Sequence, residues 1–175
     1  DDTEPAVAAT GEAFAVVWRR ALGGGASAIV GAQVVAGETR LAKYLTDNGT
    51  VSAPAIACEA RGDCLVAWTR QLAGNLDVVG RYWFPREALV GEGLLAIAVT
   101  DHAEFYPSVA WSGYYDRHAY AVTWSFHGPE RRTVQARSVY PTDLVKPGTY
   151  VVGDPILDIG LEGQVGGQGD VAAQG

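Results

Sequence analysis

A repeated order of three anchors constrains the fold of this chain more than any other sequence feature. A proline opens each repeat, a tryptophan follows 13, 14 or 17 residues later, and a third apolar segment begins 12 or 13 residues after the tryptophan. The opening prolines are Pro5, Pro54, Pro107 and Pro155, and the tryptophans are Trp18, Trp68 and Trp124. Repetition with a period near 50 residues predicts one supersecondary unit per repeat.

Each unit has room for four short strands. The first is expected to begin at the proline, because its missing N–H is tolerated at a strand start. The second is a nearly continuous apolar run ending in the tryptophan, which is typical of a strand covered on both faces. The third alternates more, with polar Gln33, Arg81 and Arg137 among apolar neighbours. A weaker fourth strand is predicted within residues 41–45, 94–99 and 150–152.

Together these elements read as Pro-x-Val/Ile-Ala, a turn, an apolar run to tryptophan, a loop and, in two repeats, an arginine-containing strand. This pattern resembles the repeats of secreted bacterial β-propeller proteins over residues 4–159. The resemblance implies an all-β fold of tandem four-stranded antiparallel blades, three complete and a fourth begun. The expected blades cover residues 4–52, 53–105 and 106–153 of a repeat domain at 1–159. A partial blade follows from 154, and residues 160–175 form a glycine-rich tail or an incomplete blade.

Three blades and a fraction are fewer than the four to eight of a closed propeller. An open stack would leave a flat apolar sheet face at each end. The chain is therefore expected to be part of a longer propeller, to close a ring with a second copy, or to join copies head to tail.

Cys58 and Cys64 are the only cysteines, and they flank a polar turn at residues 59–63. If this segment is a hairpin, the two thiols face each other and can form a disulfide, which favours an extracellular location. Two reduced, half-buried thiols are the alternative. The sequon at Asn48 permits glycosylation in a secreted eukaryotic protein, but Asn48-Gly49 is also a preferred hairpin turn that needs no glycan.

Charge and hydropathy exclude two classes of partner. The net charge of −7, with 13 lysines and arginines, argues against nucleic acid, whose phosphates need a basic surface. No apolar run approaches the roughly 18 residues of a membrane-spanning helix. The 22 glycines fit a chain with many tight turns.

Residues able to carry catalysis or bind a metal do not converge in the sequence. Three or four convergent ligands are needed for a metal, and two acids in one cleft for glycoside hydrolysis. The candidates are scattered, and His102, His118 and His127 read as loop or strand-edge residues. The candidate acids are Asp77, Asp101, Glu104 and Asp116, but nothing in the sequence places any two of them together. No catalytic, cofactor or metal site is therefore predicted.

Aromatic residues that do not recur in every repeat are candidates for ligand or partner contact. Tyr114 and Tyr115 lie in a hairpin longer than its counterparts, where they could stack on a sugar, contact a protein or pack on the next blade. Trp83 and Trp111 are further candidates. The tryptophans that do recur, at 18, 68 and 124, are expected to be core.

Three functions remain open at this level, because propellers host all of them. The first is a non-catalytic extracellular structural module that associates with other copies or with adjacent blades. The second is a glycan-binding module. The third is a fragment of a secreted propeller hydrolase whose catalytic residues lie in other blades.

Overall fold

A computed structural model describes residues 1–46, 49–72, 74–113, 119–141, 150–153 and 156–159. These residues form strands of three antiparallel sheets and one short 3-10 turn at Pro85–Glu87. The three sheets succeed one another along the chain, and each is a meander of neighbouring strands. The fold is therefore the predicted all-β series of tandem antiparallel blades of β-propeller type. Among the described residues, no helix is long and apolar enough to cross a membrane.

The first sheet is a regular four-stranded meander in which every strand pairs with the next. Tight glycine turns connect its strands, and the first connection uses Gly11 at a φ of +70°. Its strands are β1 (Asp2–Thr10), β2 (Ala13–Gly23), β3 (Ala26–Val35) and β4 (Glu38–Tyr44).

The second sheet follows the same order, but its fourth strand is split in two. Both pieces pair with the outer edge of the third strand and are separated by a short irregular segment. Its strands are β5 (Ala55–Cys58), β6 (Cys64–Leu72), β7 (Asn75–Phe84), β8 (Leu89–Val90) and β9 (Leu95–Ala98).

The third sheet repeats this split, and here the structure differs from the expected partial fourth blade. Leu157 and Asp158 pair with Ala136 and Gln135 of the third sheet, so this segment continues the split fourth strand. The proline at 155 lies outside the described residues. The strands of this sheet are β10 (Ala103–Ser112), β11 (Ala119–His127), β12 (Arg132–Pro141), β13 (Tyr150–Val152) and β14 (Leu157–Asp158).

Two of the anchor prolines lie inside the first strand, not at its start. In the first and third sheets the pairing register shifts around Pro5 and Pro107. The preceding residues, Glu4 and Tyr106, have φ values of 56° and 54°. A bulge at this place accommodates a residue that cannot donate to the ladder. Pro54 does directly precede its strand, as predicted.

Two hydrophobic cores fill the spaces between consecutive sheets. One contains Ile29 and Trp68 and lies between the first and second sheets. The other contains Val78 and Trp124 and lies between the second and third sheets. The alternate residues of β6 enter different cores, which explains why its apolar run has no polar alternation.

Candidate functional site

The two faces of each sheet have different compositions, and the strand registers align them from repeat to repeat. We call the face that carries Trp18, Trp68 or Trp124 the tryptophan face. We call the opposite face, which carries Ala8, Ala57 or Ala110, the alanine face. In both internal interfaces the tryptophan face of one sheet packs against the alanine face of the preceding sheet.

Within the described ranges, no sheet covers the tryptophan face of the first sheet. Val7 is 62% exposed, whereas Ile56 and Val109, at the same register position of the other sheets, are 9% and 7% exposed. Phe14 is 53% exposed, and its counterpart Tyr120 is 3% exposed. The residue types are comparable, so the difference in burial arises because no described sheet packs on this face.

Trp18 therefore departs from the expectation that all three repeated tryptophans are core. Trp68 and Trp124 are fully buried, but Trp18 is only half-buried. The Arg20 guanidinium lies 5.6 Å from the Trp18 ring and 6.0 Å from the Tyr44 ring, within the range of cation–π attraction. This guanidinium provides part of the cover that a neighbouring sheet supplies elsewhere.

A bidentate ion pair holds Arg20 in this position. Its Nε and Nη2 atoms donate to the two Asp2 carboxylate oxygens at 2.7 and 2.8 Å. These hydrogen bonds lower the pKa of Asp2 below its ordinary value. The open face thus combines apolar surface with a fixed cation at its edge.

Arginines join consecutive sheets at both internal interfaces. Arg81 donates from Nη1 to the Leu45 carbonyl of the preceding sheet at 2.8 Å. Arg137 makes the equivalent bond to the Ile97 carbonyl, also at 2.8 Å. The first sheet has Ala32 at this register position, so its open face lacks the arginine that links the internal interfaces.

A second polar cluster lies where the second sheet meets the third. Glu104 is fully buried and accepts a hydrogen bond from Thr100 Oγ1 at 2.5 Å. Burial raises its pKa to about 7, and the negative charge of Asp77 adds to this shift. Asp77 is itself buried, which raises its pKa. The sequence offers both acids as candidates but does not place them together, because the packing of one sheet on another is not visible in it.

The residues predicted to contact a ligand or partner differ in their burial and position. Trp83 is 1% exposed and packs against Gly31 of the first sheet, so it is a core residue and cannot contact a ligand. Trp111 is half-buried and packs against the core between the second and third sheets. Tyr114 and Tyr115 lie outside the described residues, and the suggested glycosylation site at Asn48 does as well.

The structure also positions two of the three histidines. The His102 ring lies 5.4 Å from the Phe126 ring, and the His127 ring lies 4.8 Å from the Phe105 ring. Both rings therefore pack against aromatic side chains. His118 and Asp116 lie outside the described residues, and within the described ranges no group of three or more potential metal ligands occurs.

The predicted disulfide between Cys58 and Cys64 is present. The two residues are directly opposite each other at the end of the β5–β6 hairpin, with their Cα atoms 4.0 Å apart. Cys64 is fully buried in the core between the first two sheets. The disulfide therefore closes a hairpin whose strands help form that core.

Comparisons with known proteins give distant structural similarity. No protein-family model and no curated protein matches the chain. A glycosyl hydrolase from Bacteroides ovatus is similar with a TM-score of 0.49 and 12% identity, over 91% of this chain and 51% of that one. The chain thus spans about half the length of that structure.

A second similar structure comes from work on the GH130 family of mannoside phosphorylases, which contains glycoside hydrolases that target β-1,2 mannosidic linkages in Candida mannan. It has a TM-score of 0.47 and 12% identity, over 87% of this chain and 65% of that one.

Proposed function

We propose that this chain is a non-catalytic extracellular structural module that associates with other copies of itself through the tryptophan face of its first sheet. The observation that carries the proposal is the exposure of Val7 and Phe14, whose register counterparts are buried in both internal interfaces. An uncovered apolar sheet face of this kind marks an interaction surface.

The internal interfaces indicate what such a surface binds. Each tryptophan face meets an alanine face, where small residues let the sheets approach closely. Gly31 makes room for Trp83 at the first interface, and Gly80 occupies the same register position in the second sheet. The third sheet has Ala136 there and Ala110 at the recurring alanine position, so it carries small residues of the same type. Ala110 is 6% exposed within one copy, so a second copy would have to uncover this part of the face to dock on it.

An extracellular location is supported by the disulfide, since such bonds persist in oxidising compartments. A non-catalytic role is supported by the closed position of the buried acids. Asp77 and Glu104 are 3% and 0% exposed, so a polysaccharide or peptide substrate could not reach them.

The test begins with the native mass and shape of the chain, from light scattering and negative-stain electron microscopy. We expect rings, filaments or smaller closed oligomers. Val7→Arg should abolish these assemblies, because it places a charge in the proposed contact. Val7 is exposed in a single copy, so the substitution should not disturb folding of the monomer. Gln71→Arg is the matched control, since Gln71 is exposed on the second sheet and the charge change is identical.

A chain that is monomeric at all accessible concentrations would overturn the proposal. If that monomer bound immobilised glycans, and loss of Tyr114 and Tyr115 weakened binding, the glycan-binding alternative would replace it. An inert monomer that became active only with additional blades would instead support the hydrolase-fragment alternative.

A further inference from the structure

Glu104 is an acid that has no cation partner among the described residues, at a place where the first repeat has an ion pair. In the register of the strands, Asp2 pairs with Arg20, Val51 with Arg70 and Glu104 with Phe126. The third repeat therefore keeps the carboxylate of the first but has an aromatic ring where the guanidinium would be. This exchange leaves the carboxyl group to be neutralised in some other way.

The described residues around Glu104 do not supply a positive partner. Its Oε1 atom accepts a hydrogen bond from the Thr100 hydroxyl, whereas Oε2 is buried and has no hydrogen-bond partner among those residues. No ion pair joins a cation to Glu104 or Asp77 within the part of the chain that the structure describes. A buried carboxylate without a cation or full hydrogen bonding is strongly unfavourable.

Neighbouring polar groups hold the cluster in place. Asn75 Nδ2 donates to the Thr100 and His102 carbonyls, both at 2.7 Å, and so ties the second sheet to the segment that leads into β10. The same amide is 3.5 Å from Asp77 Oδ1. The other titratable groups near this end of the interface are Asp101, His102, His127 and Arg70, which is opposite Asp77 on β6. On the far side of β11, Arg132 is opposite His127, and Asp158 accepts a hydrogen bond from Thr133, which is opposite Phe126.

We propose that the contact between the second and third sheets is a pH-sensitive joint, closed when Glu104 is protonated and loosened when Glu104 ionises. In the protonated state the Glu104 side chain is neutral and fits the buried contact between the sheets. In the ionised state its charge would be buried within the electrostatic reach of Asp77, and separation of the sheets would hydrate it.

The direction of the effect follows from proton linkage. The folded-state pKa of Glu104, about 7, is above the ordinary value of 4.5, so the folded state binds the proton more tightly than the unfolded state does. Its stabilising contribution is complete below about pH 4.5 and is lost as the pH rises through about 7. The joint is therefore strongest in acidic surroundings.

Native-state hydrogen exchange of the whole chain tests this joint. Glu59 is a second acid with a raised pKa, and it lies in the turn of the β5–β6 hairpin. Both proteins compared therefore carry Glu59→Gln, which removes its contribution to the pH dependence. Between about pH 5.5 and pH 8.5, we expect the protection factors of β10 amides to fall by about tenfold or more, since one pKa unit corresponds to a tenfold change. Adding Glu104→Gln, which keeps the size of the side chain, should remove most of this fall.

Two outcomes would overturn the proposal. One is β10 protection that does not change with pH, or a fall that persists in full after Glu104→Gln. The other is an effect of calcium: millimolar calcium chloride restores β10 protection at about pH 8.5 in the Glu59→Gln protein but not in the variant that also carries Glu104→Gln. That result would mean that the cluster binds a cation. If Glu104→Gln does not fold, Asp77→Asn provides the second variant, and it should shift the midpoint of the fall to lower pH.

Discussion

Trp83 of β7 packs directly over Gly31 of β3, across the interface between the first and second sheets. A Cβ atom on Gly31 would lie 3.0 Å from Trp83 Cη2 and 3.2 Å from Leu45 Cδ1. This glycine is therefore required by packing. The contact explains why the third segment of the first repeat begins with a glycine, a feature that sequence spacing showed without giving its cause.

Gly31→Ala should destabilise the chain by about 1–3 kcal/mol, because the indole ring is held within the core and cannot move without displacing its neighbours. Chemical denaturation followed by tryptophan fluorescence measures the change. Ala21→Val, which adds volume at an exposed position of β2, is the control and should have little effect. Equal stability of Gly31→Ala and the original chain would mean that the two sheets are less closely packed than described.

Arg81→Met should weaken the same interface, for an electrostatic reason. The substitution keeps most of the aliphatic stem but removes the hydrogen bonds to the Leu45 and Gly93 carbonyls, at 2.8 and 3.2 Å. Charged hydrogen bonds of this kind contribute about 1.5–3 kcal/mol each when well formed, and partial exposure reduces the value, so a total loss of about 2 kcal/mol is expected. Urea denaturation measures it.

Arg132→Met is the control for this variant, because Arg132 is exposed at the start of β12. A similar loss of stability in both variants would show that charge in general, and not the bond between sheets, is responsible. Arg81→Lys should recover part of the loss, since a lysine can reach one carbonyl but not both.

The sequence was sufficient to predict the sheets because each repeat carries local signals. The apolar runs ending in Trp68 and Trp124 indicated strands buried on both faces, and both tryptophans are buried. What the sequence did not show is which sheet covers which. Trp18 has the same local sequence signal as the other two, and only the order of packing leaves its face open.

The environments of Trp83 and of the last described segment also depend on long-range packing and pairing. The other repeats have no tryptophan at the position of Trp83, which suggests a functional role, but Gly31 on another sheet provides the space that buries this ring. Leu157 follows a repeat-like proline, yet it pairs with Ala136 because the fourth strand is split. Neither relationship has a local signal.

Reduction of the Cys58–Cys64 disulfide should destabilise the chain by about 2 kcal/mol, as chain-entropy estimates give for so short a loop. Thermal unfolding with and without reductant measures the effect. A Cys58→Ala, Cys64→Ala variant should unfold at the same temperature with or without reductant. If reductant lowered the unfolding temperature of that variant too, the effect would not come from the disulfide.

The hairpin closed by this disulfide should also respond to pH. Burial, a hydrogen bond to Asp63 and the charge of Asp63 raise the pKa of Glu59 to about 7, from an ordinary value of 4.5. The folded state therefore binds this proton more tightly than the unfolded state, and the resulting stability is complete below about pH 4.5 and lost as the pH rises through about 7.

Thermal unfolding of Glu59→Gln across this range should show a smaller fall in the unfolding temperature than the original chain, with Glu104 responsible for what remains. Glu87→Gln is the control, because Glu87 is exposed in the 3-10 turn. Hydrogen exchange separates the two acids by position, since Glu59 should affect amides of β5 and β6, whereas Glu104 should affect β10. A pH response of β5 and β6 that is unchanged in Glu59→Gln would contradict the assignment to this carboxyl pair.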